Sequence, residues 1–216
     1  MFDASTFTQA LPLIMKASQM TIFVSVIGLM LGFVIAILVA AACLSPSAGL
    51  RRCGNFYTFL FRGVPLLVQL MLAYYFLPTL GINVSPLTAA IAAISLCEGA
   101  YLGEILRGGF LGIPRGQIEA AQMMGLSPAH TLLRIQVPQA LKLTTPSLIN
   151  EMILLIKASA LISVVGVAEI TRTAQNVAAS TFRPLEAYLI AGLAYMLING
   201  VLSLLGHYAE QRFGRA

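Results

Sequence analysis

Residues 21–42 read TIFVSVIGLMLGFVIAILVAAA, a run without one charged side chain. A helix needs about 20 mostly apolar residues to cross a bilayer. Irregular backbone in lipid leaves its amide groups without partners. The stretch therefore predicts a membrane-spanning helix, and four more runs follow it. Residues 64–80 form the second, extended upstream by Phe59, Leu60 and Phe61. Residues 87–105 form the third and carry Glu98 and Glu104. Residues 146–167, with Glu151 and Lys157, form the fourth, and 185–206 the fifth. The expectation is an all-α integral membrane protein, one transmembrane domain over residues 1–216 with five spanning helices.

Composition agrees. Of 216 residues, 58% are hydrophobic and only 10% charged, with a mean hydropathy of +0.88; a soluble domain is nearer a quarter charged. A chain this size cannot hide so much apolar surface in one water-soluble core. The first run is too long for a signal-peptide core, although Lys16 precedes it, and Ala40-Ala41-Ala42-Cys43 is a poor lipoprotein cleavage site. The net charge of +5 comes as small basic knots between apolar runs, the pattern of loops beside a membrane rather than a nucleic-acid-binding face. Cys43, Cys53 and Cys97 show neither metal nor disulfide spacing, and His130 and His207 lack companions, so no metal site is expected.

Lysines and arginines set the orientation. Arg51, Arg52 and Arg62 flank the first turn-around, Arg107, Arg115, Arg134 and Lys142 the loop after the third run, and Arg212 and Arg215 the tail. The opposite side has Lys16, Arg172 and Arg183. The excess marks the first set as cytoplasmic, which places the N-terminus outside and the C-terminus inside.

The longest connection, about residues 108–145, does not read as disordered. Pro114 starts a helix, Ile118, Ala121 and Met124 share a face, and Gly125 ends it in the left-handed cap position. Ser127 is an N-cap with Pro128 at the first helical position. Leu132, Leu133, Ile135 and Gln136 continue this second helix, and Pro138 is expected to stop it. Helices of about ten residues are marginal alone in water. Ile118, Met123, Met124 and Leu126 therefore need something to pack against, either the membrane domain or a soluble partner.

Glu119-Ala120-Ala121, then Gly125, Ile135 and Val137-Pro138, resemble the EAA loop of ABC importer permeases, with Val137 in place of the usual leucine. Arg62-Gly63-Val64-Pro65-Leu66-Leu67-Val68-Gln69 is similar to the polar amino acid group of that family. So are Ala100-Tyr101 with Glu104 and Arg107, Pro114 to Ala121, Val137-Pro138-Gln139-Ala140, Asn150-Glu151, and Lys157 with Ser159-Ala160-Leu161. That group holds the histidine, arginine, glutamine, glutamate and opine permeases. The resemblance runs from about Lys16 to Arg212.

It implies a type I importer subunit in the bacterial inner membrane. The subunit would pair with a second, identical or homologous, permease chain and receive its amino acid from a periplasmic binding protein. Two cytoplasmic ATPase subunits, holding the ATP and Mg, would grip the EAA loops through Glu119, Ala120, Ala121 and Gly125. Arg62, Pro65 and Pro138 mark the structural motif. The chain has no G-x-x-x-x-G-K-[ST] loop to cradle phosphates, so it is expected not to be an enzyme and to bind no cofactor.

Charges inside spans are candidates for function. Glu104 lies three residues before Arg107, the spacing of a helix-surface ion pair, and Arg62 sits where it can snorkel to lipid phosphates. Glu151 and Lys157 are about 240° apart around a helix and cannot pair on one face. Glu98 is mid-span, with Tyr101 on the same face. Its carboxylate either faces a central pathway, where it would favour a cationic amino acid, or is protonated or bonded to a neighbouring helix at the dimer interface. Gly28 and Gly32 form a small-x-x-x-small pair that allows close helix approach. Residues 168–181, with Ile170 and Val177, have the spacing of an interfacial helix.

A different class of function is a stand-alone ion-coupled secondary carrier using Glu98 and Glu151 as proton or cation sites. The odd span number, the lack of an inverted repeat and the paired-helix loop count against it. A non-transporting membrane anchor fits poorly with intramembrane charges at family positions.

Overall fold

The computed structural model describes residues 4–214; Arg215, counted above with the tail, lies outside them. The first apolar run belongs to one long helix, α1 (Ala4–Leu44), reaching well beyond the expected 21–42. After a short turn come α2 (Ala48–Gly63), α3 (Leu66–Met71), a π-helical turn (Leu72–Phe76) and α4 (Leu77–Thr79). The third run is α5 (Pro86–Leu111). The long connection forms α6 (Arg115–Met123) and α7 (Pro128–Thr131), followed by a second π-helical turn (Leu132–Gln136). Next are α8 (Val137–Ala158), a 3-10 stretch (Ser159–Val165), α9 (Ile170–Thr181) and α10 (Pro184–Gly214). Among the described residues, four helices are long and apolar enough to span a membrane, and five passes result if α2 and the α3–α4 segment count as one broken span.

Two expectations need correction. Residues 64–80 are not one continuous helix with the residues upstream: α2 and Leu66–Thr79 meet at a bend of 98°. Pro65 explains the break, because the residue before a proline is driven to extended backbone and Val64 sits at φ −97°, ψ 131°. Pro138 does not end a helix. The chain stays helical from Pro128 to Val165, so the fourth long helix begins well before Pro146, which lies inside α8. The π-helical turn accounts for this. A proline has no N–H and clashes with the carbonyl four residues back. One residue of extra winding just before Pro138 changes that register, and Val137 donates to Leu132 O, five residues back. The same device precedes Pro78, two residues beyond the Leu72–Phe76 turn.

The bundle is organised on α1 and α5, which run parallel. A Cβ on Gly28 would meet Ile94, one on Gly32 would lie 2.7 Å from Glu98 Cβ and 3.2 Å from Ser95 O, and one on Gly103 would lie 2.9 Å from Val39 Cγ1. Gly99 likewise faces Ile35. Small residues on both helices thus let the backbones meet, the packing expected where lipid removes the hydrophobic incentive between helices. Further along, Ala36, Ala40, Leu102 and Leu106 close the same seam. α8 runs back against α5, with Gly109 on Ala140 and Thr144, and Gly206 of α10 fits against Ile149 of α8.

At the other end, α9 is the amphipathic helix expected over 168–181. Its Ile170, Ala174 and Val177 bury against Ala10 and Ile14 of α1 and Ala187 and Ile190 of α10. Glu169 fixes this helix. It is fully buried, and its carboxylate accepts from the N–H groups of Thr171 (2.8 Å) and Arg172 (2.6 Å) and from Tyr195 Oη (2.7 Å). The Ile170 N–H donates to Thr21 Oγ1 at 3.3 Å, so α1, α9 and α10 share one polar knot. Burial pushes the Glu169 carboxyl up, opposed by these donors.

Overpacking a tight contact costs about 1–3 kcal/mol, and Gly32→Ala meets a Cβ and a carbonyl that cannot swing away. Its detergent-solubilised thermal midpoint should fall by several degrees, while Gly200→Ala, with nothing within 4 Å, should leave it unchanged. Equal midpoints for the two variants would remove the seam from its structural role.

Candidate functional site

The α2–α3 bend creates the polar centre of the molecule. Unwinding at Val64 frees carbonyls at the end of α2, and Gln69 covers them: its Nε2 donates to Phe61 O and Val64 O, both at 2.8 Å. Cys97 of α5 adds a weak thiol bond to Phe61 O at 3.8 Å, and Tyr57 Oη donates to Leu96 O at 2.6 Å. The bend is thereby tied to the middle of α5. Gln69 belongs to the motif quoted from the sequence, yet its capping role was not legible there, because the carbonyls it serves exist only once the helix breaks.

Arg62 is the last charged residue before the bend. Its guanidinium lies 5.3 Å from the centre of the Tyr101 ring, a cation–π distance, and its Nη1 is 3.8 Å from Glu104 Oε2. Glu104 itself is held by Arg107 as the spacing predicts, through Nε at 3.0 Å and Nη2 at 2.8 Å. Together with Asn55 and Thr58 these side chains line an open cavity of about 480 Å³. The Arg62 side chain thus lies over an aromatic ring while staying partly exposed.

The expected pathway residues divide. Glu98 is buried, its Cβ pressed against Gly32 of α1, and its Oε2 has no hydrogen-bond partner among the described residues. Glu151, half-buried on α8, lies within Coulombic reach of Glu98 and of Arg62. Tyr101 lies within reach of all three. Lys157 is exposed six residues further along α8 and stands apart. Pro65 sits at the bend and Pro138 just beyond the second π-helical turn.

The loop residues form a second feature. α6 ends in a Schellman-type cap: the Leu126 N–H donates to Ala121 O at 3.1 Å and the Gly125 N–H to Gln122 O at 2.9 Å. Gly125 has φ +73°, the left-handed geometry anticipated for it. Ser127 accepts from the His130 N–H, also as anticipated. Ala121 is buried towards α7, whereas Glu119, Ala120 and Gly125 are exposed. Met123 and Met124 are 89% and 83% exposed, so the membrane helices do not cover the apolar side of this turn. Among the described residues, no group of three or more His, Cys, Asp or Glu side chains is placed to hold a metal ion.

Residues 28–215 match the model of the family described as binding-protein-dependent transport system inner membrane component. The arginine transport system permease protein ArtQ of Bacillus subtilis (strain 168) is 34% identical, over 97% of this chain and 96% of its own length. The glutamine transport system permease protein GlnP of Escherichia coli (strain K12) is 36% identical, over 98% and 97%. The L-cystine transport system permease protein TcyB of B. subtilis is also 36% identical, over 94% and 88%. The crystal structure of an amino acid ABC transporter with histidines superposes at a TM-score of 0.92 with 32% identity, covering 98% of this chain and 99% of the other. An inward-facing MetNI methionine ABC transporter shares the fold at a TM-score of 0.80 and 20% identity, over 93% and 96%.

Replacing Gln69 by Leu leaves two carbonyls at the bend without their donor, and an unmet buried polar group costs about 1–3 kcal/mol. Gln69→Leu should lower the thermal midpoint more than Gln69→Glu, which keeps one donor when protonated. A Leu variant as stable as the parent would show that the bend does not need the cap.

Proposed function

Since this chain belongs to the family of binding-protein-dependent transport system inner membrane components, we propose that it is the permease subunit of an ATP-driven importer of polar amino acids. The observation that carries this is the near end-to-end likeness, in sequence and in shape, to amino acid permeases and to an amino acid ABC transporter. The subunit sits in the bacterial inner membrane with its N-terminus outside and its C-terminus in the cytoplasm, as its basic residues indicate. A periplasmic binding protein delivers the amino acid. A second permease chain, identical or homologous, completes the pathway, and two ATPase subunits hold ATP and Mg on the cytoplasmic side.

Force enters through α6 and its capped turn. Glu119, Ala120, Ala121 and Gly125 form the coupling element, and the exposed Met123 and Met124 are its apolar knobs for the ATPase. Glu98, Tyr101 and Glu151 border the translocation pathway. Lys157 joins them only through its matching motif. ATP-driven closure of the partner subunits pushes on α6, and the rigid α8 helix beyond it carries that motion into the membrane.

Radiolabelled arginine, histidine, glutamine and glutamate, offered with binding protein to proteoliposomes of the assembled importer, should enter only when ATP is supplied. Uptake that ignores ATP and follows an ion gradient would instead establish the secondary-carrier alternative.

Burying a methionine is worth about 1.5–3 kcal/mol, so Met123→Ser with Met124→Ser should weaken ATPase capture more than tenfold and reduce uptake with it. Undiminished co-purification of the ATPase would rule out this docking surface. A Glu98→Gln exchange should lower any preference for basic over neutral amino acids, and an unchanged preference removes Glu98 from selectivity.

A further inference from the structure

The geometry around Arg62 points to an oxyanion site: Arg62 is the anchor for the α-carboxylate of the amino acid in transit. This rests on the importer function proposed above and adds to it a residue that the sequence marked only as structural.

Glu104 does not need Arg62. Its two oxygens are taken by Arg107 at 3.0 and 2.8 Å, a bidentate pair, while Arg62 stands 3.8 Å away, beyond hydrogen-bond length. Among the described residues Arg62 makes no hydrogen bond, so its five N–H donors, a rigid fork matched to a carboxylate, have no protein acceptor. The side chain is 45% exposed, yet it is not loose: the Tyr101 ring lies 5.3 Å from the guanidinium, and Gln69 pins the bend immediately after it.

Charge and space agree. Two guanidinium groups, Arg62 and Arg107, and one carboxylate, Glu104, line an open cavity of about 480 Å³. Glu151 lies within Coulombic reach of Arg62, and Glu98 within reach of Glu151. A cation flanked at a distance by carboxylates is the complement of a zwitterion, with its α-carboxylate on Arg62 and its ammonium towards Glu151. A phospholipid phosphate has the same donor requirement as a carboxylate, and the lipid arm of the test separates the two.

The test uses the assembled importer. Uptake is first measured for L-arginine, L-histidine, L-glutamine and L-glutamate. The fastest of them and its α-amide are then titrated onto the detergent-solubilised complex of wild type, Arg62→Gln and Arg62→Lys. Wild type should bind the free amino acid about tenfold more tightly than the amide, the effect of one charge-assisted contact. Arg62→Gln should erase that preference, and Arg62→Lys should restore part of it. The thermal midpoint should hold, because Arg107 still satisfies Glu104. A preference for the free carboxylate that survives in Arg62→Gln overturns the assignment. So does an uptake defect of Arg62→Gln that appears only when phosphatidylglycerol is present in the vesicles and vanishes in phosphatidylcholine alone, since Arg62 would then serve an anionic lipid headgroup. If wild type takes up none of the four amino acids with ATP, the importer function falls, and Arg62 with it; ATP-driven uptake with an intact carboxylate preference in Arg62→Gln removes Arg62 alone.

Discussion

A backbone amide in a bilayer has no water to fall back on, and the unusual features of this molecule follow from that constraint. Each place where the helix cannot continue carries a local repair. At Val64–Pro65 the repair is a side chain, Gln69, spanning two freed carbonyls. Ahead of Pro78 and Pro138 it is a turn of wider winding. After Gly166, whose φ of +88° ends the 3-10 stretch, it is Glu169, which caps α9 and accepts the Tyr195 hydroxyl as well. Gln69 supplies donors to orphan carbonyls and Glu169 supplies acceptors to orphan N–H groups, each side chain matched to its place.

The repairs also put charge where function needs it. Bending the second pass at Val64 brings Arg62 over Tyr101 and close to Glu104, and ties the bend to α5 through Tyr57, Gln69 and Cys97. A straight span over 64–80 would have left Arg62 beyond its end, free to reach lipid phosphates. The place of Arg62 beside a polar cavity is therefore a consequence of one X-Pro bond.

The long apolar runs were legible because twenty apolar residues have only one stable form in lipid. The Gly125 cap, the Ser127 N-cap and the Glu104–Arg107 pair were legible because they depend on neighbours three or four residues away. Gly28 and Gly32 hinted at close packing, but their partners Ile94 and Glu98 lie far off in sequence. Prolines misled in two ways. Pro65 breaks a run that hydropathy reads as continuous, and Pro138 fails to break one that propensity says should end. Period and propensity describe α-helix against coil and have no symbol for a π-turn. Glu169 was not legible for a similar reason, since its carboxylate accepts from Tyr195, far off on a flanking helix.

The parallel seam of α1 and α5 has a consequence for synthesis. Two helices can run the same way only after the chain between them has recrossed the membrane, so Gly32 must wait for Glu98, 66 residues later by position (98 − 32). At roughly 5–20 residues per second, α1 stands in lipid for several seconds with its glycine face uncovered. During that interval its partner surface is whatever the insertion machinery or a neighbouring nascent chain presents. Order of emergence, as much as final fit, thus decides that Gly32 meets Glu98 and not another helix.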